Sequence, residues 1–377
     1  MKKKIYITSL HLKHGGVEMA VSLLANALCR RGYEVEILCT YRLCEPAYPL
    51  DPEVKVTYLT EVKPNREAFR KALQEKHVLG ALREGLTALK VLRLKKKTMK
   101  RALAAIREGT VICTRNEHAV LLSKVGKPGV RKIAQLHNDH GFDPKLIKDF
   151  QRGYRNIDYF TLLTEQTKEE VEGFLRGHND TTQCVVIPNF LEKPYEKPIS
   201  RKKKQAIAVG RLHPDKGFDR MLRIWSDVVK QHPDWCLKII GEGDLRPGLE
   251  RQAEELGIAG KVVFTGALAH DRVMDEMAES SIYLMTSPAE SFGFVLVEAM
   301  SCATPPIAFD VRVGPRSIIT DNKDGILILD GDEKHYAACL ESLMSDPEQC
   351  ARMGQNAQKR SKDFLEDSVM KRWEEIL

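Results

Sequence analysis

Residues 281–302 read SIYLMTSPAESFGFVLVEAMSC, and the fold can be read outward from them. Ile282–Met285 is a short apolar run of the kind that forms a buried strand. A polar loop, Thr286 to Ser291, follows it, and Phe294–Met300 then opens a helix rich in Val, Leu and Ala. Glu290 lies in the loop and Glu298 on the first turns of that helix. A strand that feeds a loop and a helix N-terminus is where an open α/β sheet holds a phosphate-bearing ligand. Ionised carboxylates only accept hydrogen bonds, so they suit the vicinal hydroxyls of a ribose or a hexose. The helix amides near Gly293 and Phe294 add donors and a field that favours an anion. One loop can therefore serve a diphosphate, a ribose and a sugar together.

Length and composition agree with a globular protein of two domains. The chain has 377 residues, 43% of them hydrophobic and 29% charged, enough to bury two cores. Its basic start, MKKKIYITSL, has too short an apolar run for a secretion signal, and no run reaches membrane-spanning length. Nine cysteines without CxxC spacing read as reduced, mostly buried thiols of a cytoplasmic protein. The net charge of +7 is modest, and its placement matters more than its size.

The N-terminal half opens as a βαβ unit: a strand at Lys4–Thr8, the turn His14-Gly15-Gly16-Val17-Glu18, a helix over Met19–Cys29 and a strand at Glu34–Cys39. Glycines at the first crossover let a phosphate or sugar approach the backbone, but the full G-x-G-x-x-G pattern of a dinucleotide site is missing. Farther on, Leu82, Leu86, Leu89 and Leu92 recur at helical spacing beside Arg93, Lys95, Lys96, Lys97, Lys100 and Arg101. Two readings of 82–101 stand side by side: a contact with an anionic membrane face or acceptor, and a solvated helix face over the sheet. Nucleic acid is disfavoured, because no interleaved aromatics or reading motif accompany the charge. Strands at Val111–Thr114 and Lys132–Leu136 follow, and His137-Asn138-Asp139-His140 sits just past the second. That quartet reads as hydrogen-bonding residues more readily than as a metal site, since no partner cluster of ligands is visible elsewhere.

After strands near Tyr159–Thr164 and Val185–Pro188, the punctuated EKPYEKPISRKKKQ marks a linker, and the pattern restarts. A strand at Ala206–Val209 runs into Gly210-Arg211-Leu212-His213-Pro214-Asp215-Lys216-Gly217 and a helix. Arg211 offers a forked donor set and Lys216 a point charge, next to a helix field: the provision a diphosphate needs. Asp330-Gly331-Asp332 has D-x-D form but follows a strand and reads as a turn.

The E-S-F-G-F-V-L-V-E-A-M segment strongly resembles the E-x7-E segment of GT4-type retaining glycosyltransferases, and GRLHPDKG is similar to that family's G-R-x-x-x-x-K-G. The resemblance implies a GT-B fold: two Rossmann-like α/β domains with parallel sheets facing a cleft. It divides the chain into an acceptor-side domain at 1–190, a nucleotide-sugar domain at 200–355 and, at 356–377, a terminal helix that returns to the first domain. It assigns Glu290 to the donor sugar, Glu298 to the ribose, and Arg211 and Lys216 to the diphosphate. Phe292, Gly293 and Phe294 fall in the donor loop, and Ala267 in the loop that meets the base. Gly15 and Gly16 resemble the family's glycine loop beside the donor phosphates, and His137 the histidine near the sugar. The function implied is transfer of a hexosyl or N-acetylhexosaminyl group, with retained configuration, from a nucleotide sugar. The donor is expected to be UDP-linked, with no metal or other cofactor. The acceptor is expected to be a hydroxyl of a cell-envelope glycan or lipid-linked acceptor at the inner membrane face. The alternatives are an inactive nucleotide-sugar-binding partner and a nucleotide-sugar epimerase of the same fold.

Overall fold

The structure is a computed structural model that describes residues 3–65, 70–71, 73–75, 78–137, 141–199 and 202–377. It divides into two compact units, Met1–Ile187 with Arg372–Leu377, and Pro188–Lys371. The first change of unit thus falls at Ile187/Pro188, ahead of the punctuated stretch that marks the linker in the sequence.

In the first unit the strands are β1 (Lys4–Ser9), β2 (Glu34–Tyr41), β3 (Lys55–Thr60), β4 (Gly109–Cys113), β5 (Val130–Gln135), β6 (Tyr159–Leu162) and β7 (Gln183–Val186). They lie in the order β3-β2-β1-β4-β5-β6-β7 with every pair parallel. Helices cover such a sheet on both faces, so inner strands become continuous apolar runs: β2 is buried without a break from Val35 to Tyr41. β3 has no such signature in the sequence, because at the sheet edge only partial burial is asked of KVTYLT. An aromatic nucleus of Phe150, Tyr154 and Phe160 packs tilted to edge-on, with ring centroids 4.9–5.2 Å apart. The chain end is pinned to this unit by Arg131 Nη1, which donates to the Ile376 carbonyl (3.0 Å), and by the buried Trp373 and Ile376. The terminal helix is Glu366–Glu374, and only its last turn counts with the first unit.

The helix Val78–Ala105 carries the basic stretch. Its 28 residues span about 42 Å, against roughly 17 Å for the five-residue β4. Because Ala105 leads almost directly into β4, the excess length runs past the C-terminal ends of the strands.

The second unit holds β8 (Lys203–Val209), β9 (Cys236–Ile240), β10 (Val262–Gly266), β11 (Ser280–Met285), β12 (Pro306–Asp310) and β13 (Ile326–Leu329). Its order is β10-β9-β8-β11-β12-β13, again all parallel. The helix Phe218–Val228 buries Met221, Leu222, Ile224 and Trp225 against Leu237, Ile239 and their neighbours. In each sheet the chain reverses its direction of growth once, between β1 and β4 and between β8 and β11. Ligands of open α/β sheets bind at such reversals, beyond the C-terminal strand ends.

Candidate functional site

The β8/β11 reversal is built from glycine contacts. A Cβ on Gly241 would lie 1.9 Å from the Gly210 carbonyl oxygen, and one on Gly243 2.3 Å from that of Leu212. The turns after β8 and β9 therefore touch backbone to backbone, and side chains are excluded there. Gly217 adopts the left-handed conformation (φ 63°) and starts the helix Phe218–Val228. A Cβ there would come within 2.2 Å of the Thr286 carbonyl oxygen. Thr286 Oγ1 in turn donates to the Gly217 carbonyl (2.8 Å), and Arg220 Nε donates to the Thr286 carbonyl. The loop holding Arg211 and Lys216 and the loop holding Glu290 are thereby stitched into one body.

Across that seam, Lys216 Nζ lies 2.7 Å from Glu290 Oε2. Both side chains are mostly buried, at 25% and 16% exposure, so the pair meets in a partly desolvated pocket where charge is felt strongly. Arg211 is open instead, 76% exposed, with Nη2 3.4 Å from Asp215 Oδ2. The Glu290 loop is held from behind by Gly314, whose N–H donates to the Glu290 carbonyl (3.0 Å) and whose missing side chain leaves room for Phe292. Gly293, at φ 95°, turns the chain into the helix Phe294–Ser301. Phe292 is buried edge-on between Phe294 and Phe364, with centroids at 5.6 and 5.8 Å.

Glu298 lies in the middle of that helix and is 5% exposed. Burial pushes its carboxyl above the ordinary range, and the His270 imidazole, with Nδ1 3.8 Å from Oε1, pulls it back. His270 heads the helix His270–Glu279, three positions after Ala267 in the exposed turn beyond β10. The sequence gave no sign of its side chain, since a lone His at a helix start carries no spacing signal.

Gly15, Gly16 and His137 lie in the first unit. Gly15 precedes the helix Gly16–Arg30 and its N–H donates to Tyr48 Oη (3.3 Å). Its φ of 169° is extended backbone that suits any residue. A Cβ there would fall 2.2 Å from Glu18 Oε2, the end of a side chain that can turn aside, and nothing stands within 4 Å of one on Gly16. His137 is buried, and burial together with the Arg115 charge lowers its imidazole to about 4. Asn138, Asp139 and His140 lie outside the described residues. Among the described residues no group of three or more His, Cys, Asp or Glu is placed to hold a metal ion. Asp330 pairs with Arg220 Nη1 (2.7 Å), and Asp332 caps the helix Glu333–Ser345 by accepting from the His335 N–H (3.0 Å), so D-G-D is a structural turn.

Comparison with known proteins adds four findings. The family model described as glycosyl transferases group 1 matches residues 190–360. An exopolysaccharide phosphotransferase of Streptomyces coelicolor is 28% identical over 96% of this chain, which spans only 39% of that longer protein. A Campylobacter jejuni α-1,4-N-acetyl-D-galactosaminyltransferase, named for an acceptor built on PP-undecaprenol, is 26% identical over 99% of this chain and 98% of its own. Among solved structures, a TarM mutant of S. aureus in complex with fondaparinux, α-GlcNAc-glycerol and UDP superposes with a TM-score of 0.78. It covers 99% of both chains at 16% identity.

Proposed function

With residues 190–360 belonging to the group 1 glycosyltransferases and the two parallel sheets to the GT-B fold, we propose that this protein transfers a hexosyl or N-acetylhexosaminyl group. The donor is a nucleotide diphosphate sugar, UDP-linked, the configuration is retained, and the acceptor is a hydroxyl of a cell-envelope glycan or lipid-linked acceptor. The observation that carries the reading is the Lys216–Glu290 pair at the β8/β11 reversal. As the sugar–phosphate bond breaks, charge grows on the departing diphosphate. In this proposal Lys216, Arg211 and the amides after Gly217 and Gly293 take it up, and no metal is called on. Glu290, freed from Lys216, then accepts from sugar hydroxyls, and Glu298 from those of the ribose. The UDP complex of the TarM structure and the undecaprenol-linked acceptor of the Campylobacter enzyme support the donor and acceptor classes.

Membrane attachment is part of the proposal, and it places the protein at the cytoplasmic face. Leu82, Leu86, Leu89 and Leu92 form one stripe on the helix Val78–Ala105, and each is more than half exposed. The stripe leads into a pocket of about 650 Å³ lined by Met99, Leu121, Lys95, Lys96, Lys100, Lys124 and Lys145 and by two carboxylates, Asp149 and Glu117, the latter paired with Lys95 (2.8 Å). Lysines over an apolar floor suit an anionic headgroup whose chains lie along the leucines. No helix among the described residues is long and apolar enough to cross a membrane.

Thermal-shift titration with UDP, GDP and ADP, with and without magnesium, tests the donor site. Stabilisation by UDP alone, undiminished by a chelator and lost in Arg211→Ala, is the expected result. Stabilisation by none of them, or only with magnesium, overturns the metal-free donor assignment.

A further inference from the structure

The loops that carry Lys216 and Glu290 follow the C-terminal ends of β8 and β11. The same strands begin at Lys203 and Ser280, about 20 Å away at the opposite edge of the unit. There a cavity of about 470 Å³ opens between the chain before β8 and the helices Glu333–Ser345 and Pro347–Ser361, large enough for a small molecule. Ile199, Trp235, Leu343 and Met344 give it an apolar wall, and the last three are themselves buried. Lys202 brings a cation to that wall.

The fold accounts for Lys202 only in part. Its Nζ donates to the Cys302 carbonyl (2.8 Å) and to Thr304 Oγ1 (2.7 Å), just past the end of the helix Phe294–Ser301. Gln358 Nε2 donates to the Ser301 carbonyl beside them (3.2 Å). A helix C-terminus carries the equivalent of about half a negative charge, so it offsets only part of the ammonium. An ammonium has three N–H donors, and the contacts with Cys302 and Thr304 use two of them. Among the described residues no carboxylate pairs with Lys202, whereas its neighbour Lys204 pairs with Asp234. The ionisable groups that act on Lys202 are the thiols of Cys302 and Cys350, which burial pushes up to about 12 and about 11, so both are neutral. Burial lowers Lys202 itself to about 8, which keeps it a cation near pH 7. A mostly buried charge without a full counter-charge is costly, and a bound anion relieves that cost.

Such a cavity selects a ligand with one anionic end and an apolar body. A diphosphate carries several charges and more acceptor oxygens than one spare N–H can meet, whereas a carboxylate carries a single charge. We propose that this cavity binds an apolar monocarboxylic acid, with the carboxylate on Lys202 and the hydrocarbon body against Trp235, Leu343 and Met344. The site stands apart from the donor loops and does not rest on the transferase reading.

The test uses the full chain, with decanoate as the probe and decanol as its uncharged counterpart, read by calorimetry at pH 7. Wild type should bind decanoate at least tenfold more tightly than decanol. Lys202→Met, which keeps a flexible stem and drops the charge, should weaken decanoate to the level of decanol. Ala351→Trp, on the exposed rim of the cavity, should block both. No binding of decanoate to wild type, or wild-type affinity for it in either variant, overturns the proposal. Thermal melts without ligand identify a variant that fails to fold. Should Lys202→Met fail in this way, Ala351→Trp and the preference of wild type for decanoate over decanol decide.

Discussion

The two units are built alike, yet they disclose their chemistry very differently. In the second unit the groups offered for the diphosphate and sugar sit on two short loops. Arg211 and Lys216 lie between consecutive glycines, and Glu290 and Glu298 lie on one loop and the helix it feeds. In the first unit the corresponding reversal brings together His11, Glu18 and Arg115, from stretches about a hundred residues apart. A ligand held by a loop and a helix end leaves a spacing in the chain. One held by side chains from several strand ends leaves only a place in the fold. Both reversals obey the same topological rule, but only one of them is written linearly.

The sharpest way to break this comparison is at Lys216. Lys216→Ala removes a cation from a mostly buried pocket and should weaken UDP by about 2 kcal/mol, roughly thirtyfold, as read by calorimetry. An unchanged affinity would move the diphosphate elsewhere. Glu298→Gln comes next: it keeps the packing but alters the acceptor set, and UDP affinity should fall about tenfold while binding of free pyrophosphate stays the same.

A third experiment addresses the first unit through its histidines. Burial lowers His118 and His137 to about 4, below the value near 6.5 of the unfolded chain. Between those values the unfolded state binds more protons, so stability is fully present above pH 6.5 and is lost as pH falls toward 4. The loss is on the order of 3 kcal/mol for each group. Urea melts at pH 7 and pH 4.5 should show it, and His118→Gln should flatten the slope. A slope unchanged by that substitution would show that His118 is not held neutral.

The smaller effects sit outside both reversals. Replacing Leu82 and Leu86 by serine should lower affinity for phosphatidylglycerol vesicles at least tenfold, because half-burying the two leucines contributes about 2 kcal/mol in all. Equal sedimentation would leave the stripe a plain solvated face. Asp330→Asn should cost about 1 kcal/mol of stability through Arg220 and leave UDP binding unchanged; lost UDP binding would give the D-G-D turn a direct role.

How much was legible follows from the same contrast. The repeated strand–loop–helix pattern and the resemblance of its motifs pointed to the GT-B fold, because parallel strands buried on both faces must be apolar throughout. Thr286 was legible as a loop residue, but its hydrogen bond to Gly217 was not, since nothing local links positions 69 residues apart. β3 escaped because an edge strand needs no apolar run. The exposed leucines of the helix Val78–Ala105 were visible as spacing, whereas their exposure depends on how far the helix outruns its strand. His270 and Glu18 were hidden for a common reason: each is a single polar residue near the start of a helix, where capping alone would explain it.

The Lys216–Glu290 pair also bears on rejection. Because the lysine already has an internal carboxylate 2.7 Å away, any incoming anion competes with a tethered rival before it gains anything. A small, singly anchored ion such as orthophosphate has little else to offer and is turned away. On the proposed reading a diphosphate brings further anchors, and a nucleotide sugar brings hydroxyls that give Glu290 a new occupation. The internal ion pair then acts as a threshold that a lone orthophosphate does not clear and that UDP and its sugars do.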